Sequence, residues 1–281
     1  MDGNAVSRAI REELAEPLMP IIMVTGQDAS SALEAGLQAG ANDFVSKPFD
    51  PTELIARVRV AIKQKRLTDQ LDTAESVLFA MARMVEAKDT HTAEHCTRLV
   101  KCCQVFGKAL GLSPMELDTL SNGAVLHDIG KLWVPDHILT KPDRLDTDEW
   151  AVMSRHPVIG AQLCGGLNSV RHAVPIIRHH HERWDGSGYP DGLAGEEIPL
   201  LARIFQLADI YDALRHHRPY CGEMPVEHVI EALEHELERG WRDPALTAVF
   251  LDILRQRPGD LELKPSDAQG PGAMLFEQIV S

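Results

Sequence analysis

The chain has 281 residues, of which 44% are hydrophobic and 25% charged, a composition typical of a folded protein with a sizeable core. Its formal net charge of −14 opposes charge-driven binding to DNA, RNA and anionic membranes. No apolar run approaches the ~20 residues of a membrane span and the N-terminus has no signal-peptide pattern, so we expect a cytoplasmic protein.

The first 52 residues alternate between strand and helix patterns. The apolar, β-branched run PIIMVTG at 20–26 predicts a buried strand, and NDFVSKPFD at 42–50 predicts a second one. Between them, ASSALEAGLQAGA at 29–41 predicts a small helix that ends at Gly40. Alternation of strand and helix favours a parallel α/β unit.

This order, with Thr25 ending one strand and Lys47-Pro48 ending the next, resembles the C-terminal half of a response-regulator receiver domain. In that family the strands with the acidic pair and the phosphoacceptor aspartate precede this half. We interpret residues 1–52 as a truncated receiver-like α/β remnant that does not act as a phosphorylation switch. Half a sheet exposes strand edges, so we expect it to need a partner chain or to be poorly ordered.

Residues 53–87 have a continuous helical pattern with no Pro or Gly. Its apolar positions are Leu54, Val58, Ile62, Leu67, Leu71, Leu78, Met81 and Val85. Helices of this length usually pair with another helix, so we interpret 53–87 as a linker that joins two copies in a homodimer. The alternative is a helix that packs on its own domain.

From residue 88 onward the pattern is almost wholly helical, which predicts a mainly α fold for the chain. We assign 88–258 to a catalytic domain and the polar, Gly- and Pro-rich segment 259–281 to a flexible tail. Histidines and aspartates recur along this domain, most of them inside apolar helical runs, where an uncompensated charge is costly to bury. They are His95, His127, Asp128, His156, His180, His181 and Asp209.

A single histidine on a helix is most often exposed or hydrogen-bonded, but seven such groups on successive helices indicate a common site. Their order resembles that of a superfamily of metal-dependent phosphohydrolases. Imidazole and carboxylate ligands without thiolate suit iron, manganese or a similar first-row ion. His127 and Asp128 can both reach one cavity if two metals lie there and the carboxylate bridges them.

Two such metals, about 3.5–4 Å apart, can acidify a bridging water and stabilise the attacking and leaving oxygens of a displacement at phosphorus. Lys131 follows His127 by one helical turn and therefore points to the same cavity. There it can bind a phosphate oxygen or offset charge in the transition state. We therefore predict that Asp128 and Lys131 are catalytic.

The stretch HHERWDGSGYP at 180–190 resembles the defining motif of the HD-GYP family, the bacterial cyclic di-GMP phosphodiesterases. The resemblance extends over about residues 88–252, through LHDIGKLWVPDHILTKP, HP and LADIYDAL. It implies an all-helical HD-domain bundle in which a metal-activated hydroxide hydrolyses cyclic di-GMP to linear pGpG, with GMP as a further product left open. It also implies that the seven residues named above are the ligands of two divalent metals.

By the same resemblance, the loop after the histidines forms the substrate-side wall, and signalling proteins are candidate partners of this GYP loop. Gly186 and Gly188 let the loop turn and bring its backbone near the ligand. The implied substrate-binding residues are Lys131, Arg183, Asp185, Gly186, Gly188, Tyr189 and Arg218. His179, which precedes the matched histidine pair, is expected to face away.

Some members of the family carry a Glu near the position of His91 and bind a third metal. His91 lies one turn before His95 and shares its helix face, so it is a candidate ligand for a weak third site. The alternative is a hydrogen-bonding or wall residue. Two other functions stay open: a cyclic di-GMP sensor with weak turnover, and a phosphohydrolase of cyclic GMP-AMP or another nucleotide.

Overall fold

The computed structural model describes residues 2–12, 19–26, 29–88, 95–216 and 224–263. The chain divides into two compact units, Met1–Val77 and Leu78–Ser281. The predicted mainly α fold is confirmed, since the described residues form one sheet of two strands and are otherwise mostly helical. Within the described ranges, no helix combines the length and the apolar character that crossing a membrane requires.

The N-terminal unit contains the predicted strand–helix–strand pattern. Its elements are α1 (Gly3–Glu12), β1 (Ile22–Thr25), α2 (Ala29–Gln38), β2 (Asp43–Ser46) and the first part of α3 (Pro51–Lys88). The two strands pair in parallel, with Ile22 opposite Asp43 and Thr25 opposite Ser46. Gly40 has φ +93 just after α2, so a residue without Cβ ends this helix as predicted.

Helix α1 was not predicted from the sequence, and one of its side chains explains how it is held. Arg11 donates hydrogen bonds to the Gly40 carbonyl and to Asn42 Oδ1 at 2.7 and 2.8 Å. These bonds join α1 to the loop between α2 and β2.

Helix α3 runs unbroken for 38 residues, which confirms the predicted long helix. Large apolar side chains remain exposed along it, with exposed fractions of 38–66%: Ile55, Val58, Val60, Ile62, Leu67, Val77, Met81 and Met84. Ala82 and Val85, near its end, are buried. The dimer through this helix stays a prediction.

The second unit is a helical bundle. After the end of α3 its helices are α4 (His95–Ala109), α5 (Pro114–Leu126), α6 (Asp136–Leu139), α7 (Thr147–Met153), α8 (His156–Gly165), α9 (Val174–His179), α10 (Leu200–His216), α11 (Val226–Glu238) and α12 (Pro244–Gln256). Short 3₁₀ helices cover Ile129–Trp133, Arg171–Ala173, Gly195–Glu197 and Pro258–Asp260. Ser113 caps α5 through a reciprocal hydrogen-bond pair with Glu116.

Two hydrophobic clusters hold the bundle together. The larger one contains residues of α4, α5, α10, α11 and α12, which pack around Phe106, Phe205, Tyr211 and Phe250. The smaller one lies between the end of α3, the end of α5 and α9. Leu261 is buried in the larger cluster, so the ordered domain extends past the boundary at 258 that the polar composition of the tail predicted.

Candidate metal and substrate site

The structure brings the seven predicted ligands together in two groups. Within each group, one ligand atom from every residue lies within 4.8 Å of the others. The first group is Asp128, His156, His180 and His181, and the second is His95, His127 and Asp209. His91 and Arg218 lie outside the described residues.

Asp128 connects the two groups through its two carboxylate oxygens. Oδ2 is 3.2 Å from Nε2 of His127, and Oδ1 is 3.2 Å from Nε2 of His156. Lys131 Nζ lies 2.8 Å from Oδ2. Since each oxygen faces a different group, the carboxylate has the orientation that a ligand bridging two ions requires.

Three of the histidines cap the helix that precedes them. His127, His156 and His180 follow α5, α7 and α9, whose last carbonyls have no partner within the helix. In each case Nδ1 lies 2.8–3.0 Å from the carbonyl oxygen three residues earlier. A carbonyl can only accept, so in the neutral ring Nδ1 carries the proton and Nε2 keeps its lone pair available to a ligand.

The resulting set of nitrogens suits a cation. Nε2 of His156 and Nε2 of His180 lie 3.3 Å apart, and the carbonyl bonds leave both without a proton in the neutral rings. Two lone pairs at this distance repel each other unless a positive charge lies beside them. Buried imidazole nitrogens together with the carboxylates of Asp128 and Asp209 therefore fit divalent first-row metals.

His95 is oriented by a carboxylate instead of a carbonyl. Its Nδ1 lies 2.6 Å from Oδ2 of Asp212, whose side chain is 3% exposed. Arg98 donates to both oxygens of Asp212, and His216 Nδ1 lies 3.1 Å from Oδ1. Sequence reasoning missed Asp212, although it follows Asp209 by three residues and so shares its face of α10.

A cavity of about 620 Å³ lies against these groups. This volume is in the range of small-molecule sites, about 300–1,000 Å³. Its lining includes His180, His181, Asp209, Arg183, Gly188, Tyr189, Trp150 and Arg242. Three of the metal-ligand candidates and three of the predicted substrate residues thus border one space.

Comparison with known proteins identifies the family. The model of the HD domain matches residues 80–246, which is more than half of the chain. The chain belongs to the HD domain family. The model of the response regulator receiver domain matches residues 1–59, which confirms the receiver resemblance of the N-terminal segment.

The cyclic di-GMP phosphodiesterase response regulator RpfG of Xanthomonas campestris is 38% identical over an alignment of 241 residues that covers 78% of this chain and 64% of RpfG. A probable cyclic di-GMP phosphodiesterase of Vibrio cholerae is 35% identical over 96% of this chain and 68% of its own length. The solved structure of the V. cholerae cyclic GMP-AMP specific phosphodiesterase V-cGAP3 aligns with a TM-score of 0.51 at 22% identity, over 72% of this chain and 59% of that one. This structural likeness concerns the fold.

The GYP loop of this HD domain folds back onto its own start. Glu182 is fully buried, and its carboxylate accepts hydrogen bonds from the backbone N–H groups of Asp191 and Leu193 at 2.7 and 3.1 Å. A Cβ on Gly188 would lie 2.4 Å from Glu182 Cα, so this position admits only glycine. The close approach that we predicted for Gly188 is therefore to the chain's own backbone, although the residue also lines the cavity.

The other predicted substrate residues of the GYP loop fall into two places, the cavity wall and the turn of the loop. Tyr189 stacks on His181, with ring centroids 4.7 Å apart and an interplanar angle of 24°. Asp185 accepts a hydrogen bond from the Ser187 backbone N–H at 2.9 Å, and Gly186 has φ +81. Asp185 and Gly186 shape the turn and do not belong to the cavity lining described above.

His179 lies outside both groups, as expected. It forms a separate cluster with Glu182 and Asp191, in which its Nδ1 is 3.5 Å from Asp191. Since both Glu182 oxygens already accept backbone hydrogen bonds, this cluster supports the loop.

The protonation states in the HD domain follow from burial and charge. Burial, together with the neighbouring imidazoles, holds the pKa values of His180 and His181 well below their usual range, which favours the neutral, ligating form. Burial also lowers the pKa of His127, but the negative charges of Asp128 and Asp209 outweigh this effect and raise the pKa to about 9. Burial also opposes ionisation of Asp128, yet Lys131 and His127 keep its pKa well below the usual value.

Proposed function

We propose that this HD domain is a metal-dependent phosphodiesterase that hydrolyses cyclic di-GMP to linear pGpG. The observation that carries the proposal is the pair of His/Asp groups joined by Asp128 beside a cavity of about 620 Å³. The names of the Xanthomonas and Vibrio relatives support cyclic di-GMP as the substrate. The chain spans 64% of the length of RpfG, so the proposal concerns the part that the two proteins share.

In this proposal the seven residues of the two groups hold two divalent ions, with iron or manganese as the candidates. When bound, the ions supply the Lewis acidity that activates water and the positive charge that offsets the developing charge on phosphate. The chain's own contribution is orientation. The three backbone carbonyls hold the rings of His127, His156 and His180 through Nδ1, and Asp212 holds the ring of His95 in the same way.

The reaction adds water across one phosphodiester bond. A water oxygen forms the new bond to phosphorus, the bond from phosphorus to the ribose 3′ oxygen breaks, and the leaving oxygen takes a proton. Lys131 and Arg183 are the cations we assign to the phosphate oxygens. The guanidinium of Arg183 lies 3.8 Å from the ring centroid of Trp241, a stacking contact that restrains its direction at the cavity wall.

Chromatography of the reaction products tests the proposal. The full chain, loaded with iron or with manganese, is incubated with cyclic di-GMP and, in parallel, with 3′3′-cGAMP, and Asp128→Ala is the control. We expect pGpG from cyclic di-GMP with the wild type and no product with the variant. Faster turnover of cGAMP than of cyclic di-GMP would mean that cGAMP is the substrate. Binding of both nucleotides without any product would favour a sensor.

A further inference from the structure

Trp150 is a large aromatic side chain at the substrate cavity with no role in the metal groups. It lies on α7, lines the cavity together with His180, His181 and Asp209, and is 50% exposed. A tryptophan left half in water beside a polar site offers a large, rigid apolar surface to a ligand.

The contacts of Trp150 restrain its position but leave surface available. Its ring centroid is 5.7 Å from that of Tyr189, and the two rings are nearly perpendicular at 76°. Tyr189 in turn stacks on His181, a residue of the first group. A row of rings therefore runs from the metal-ligand candidates to Trp150.

Helix α7 is firmly anchored, so the tryptophan has a defined place. Asp146 caps the helix by accepting from the backbone N–H groups of Asp148 and Glu149, and the Glu149 carboxylate accepts from the Asp146 N–H. Lys141 pairs with Glu149 at 2.6 Å. A ring on a helix fixed in this way loses little conformational freedom when a ligand binds.

We propose that Trp150 is the stacking platform for one purine base of the substrate. This inference rests on the proposed function and adds the part of the site that holds a base while the phosphodiester lies at the His/Asp groups. Purines have a broad π-face, and stacking on an aromatic side chain contributes about 1–3 kcal/mol per base. The cations at the cavity suit phosphate, whereas Trp150 suits the base.

GMP and ribose 5-phosphate form the matched pair of probes, since they differ only in the base. Their dissociation constants for the metal-loaded full chain are measured by calorimetry with the wild type, Trp150→Ala and Trp150→Phe. The control is Trp133→Ala, because Trp133 is 69% exposed and is not part of the cavity lining. Binding is measured without turnover, so a failure of the proposed phosphodiesterase activity is recognised separately in the chromatography.

We expect Trp150→Ala to weaken GMP binding by about 5- to 150-fold and to leave ribose 5-phosphate binding unchanged. Trp150→Phe should restore most of the affinity for GMP, and Trp133→Ala should behave as the wild type. An equal loss for both probes would mean that Trp150 only supports Tyr189, and would overturn the proposal. A wild type that does not prefer GMP over ribose 5-phosphate would overturn it as well.

Discussion

His95 and Asp212, 117 residues apart in the chain, share a 2.6 Å hydrogen bond between Nδ1 and Oδ2 in the interior of the HD domain. The carboxylate engages Nδ1, and a ligand atom of the same ring lies within 4.8 Å of ligand atoms of His127 and Asp209 in the second group. A carboxylate behind a ligand histidine also makes the ring a stronger donor to a metal.

Replacement of Asp212 by Asn should therefore weaken metal binding by about 10- to 100-fold, because the charge behind His95 is lost. Metal affinity is measured by competition with a chelator. Asp136→Asn is the matched control, since Asp136 has a side chain that is 75% exposed. Equal affinities of Asp212→Asn and wild type would show that Asp212 does not act on the site.

Gly130 allows the segment after Asp128 to approach α8. A Cβ at this position would lie 1.9 Å from the His156 carbonyl oxygen and 2.6 Å from the Gly160 nitrogen, both of which are backbone atoms. Gly130→Ala should force Asp128 and His156 apart, with a loss of stability of about 1–3 kcal/mol or more.

Thermal unfolding of the metal-free protein measures the effect of Gly130→Ala. Gly165→Ala is the control, because a Cβ there meets no heavy atom within 4 Å. Similar melting temperatures for the two variants would contradict the tight packing that we describe between the two segments.

The seven ligand candidates were selected from the sequence by the resemblance of their order to metal-dependent phosphohydrolases, together with their apolar helical context. Ionisable side chains such as His127 and Asp128 are rare in apolar helical runs, so their recurrence stands out from the background. Asp212 escaped notice because a single helical Asp is usually exposed. Only the packing of α10 against α4 reveals that it lies behind His95.

Other features depend on contacts that a linear pattern does not contain. The carbonyls that orient the histidines become visible only when the helix ends are known, as at His180 and Ile177. Trp150 belongs to no motif, and its relation to the site comes from the fold of the GYP loop, which brings Tyr189 against it. In the N-terminal unit, by contrast, the patterns of β1, α2 and β2 are local and were predicted correctly, whereas α1 was not predicted.

The predicted dimer through α3 can be tested at the exposed apolar residues of this helix. Ile62 and Leu67 are 47% and 52% exposed, and pairing with a second copy would bury them. The double variant Ile62→Glu/Leu67→Glu should be a monomer where the wild type is a dimer, because the new charges oppose burial. Light scattering gives the mass, and circular dichroism verifies that the helix persists. A monomeric wild type would refute pairing through α3.

Asp128→Ala should abolish hydrolysis and lower the metal content, because the carboxylate serves both groups. Activity is followed by product chromatography, and metal content by elemental analysis of the same sample. Full activity together with full metal content in this variant would eliminate the bridging role.

Anomalous diffraction from crystals of the iron-loaded protein tests the central claim most directly. We predict two peaks about 3.5–4 Å apart on either side of Asp128, one beside His156, His180 and His181 and the other beside His95, His127 and Asp209. A single peak, or peaks that no residue of the two groups contacts, would contradict the two-metal site.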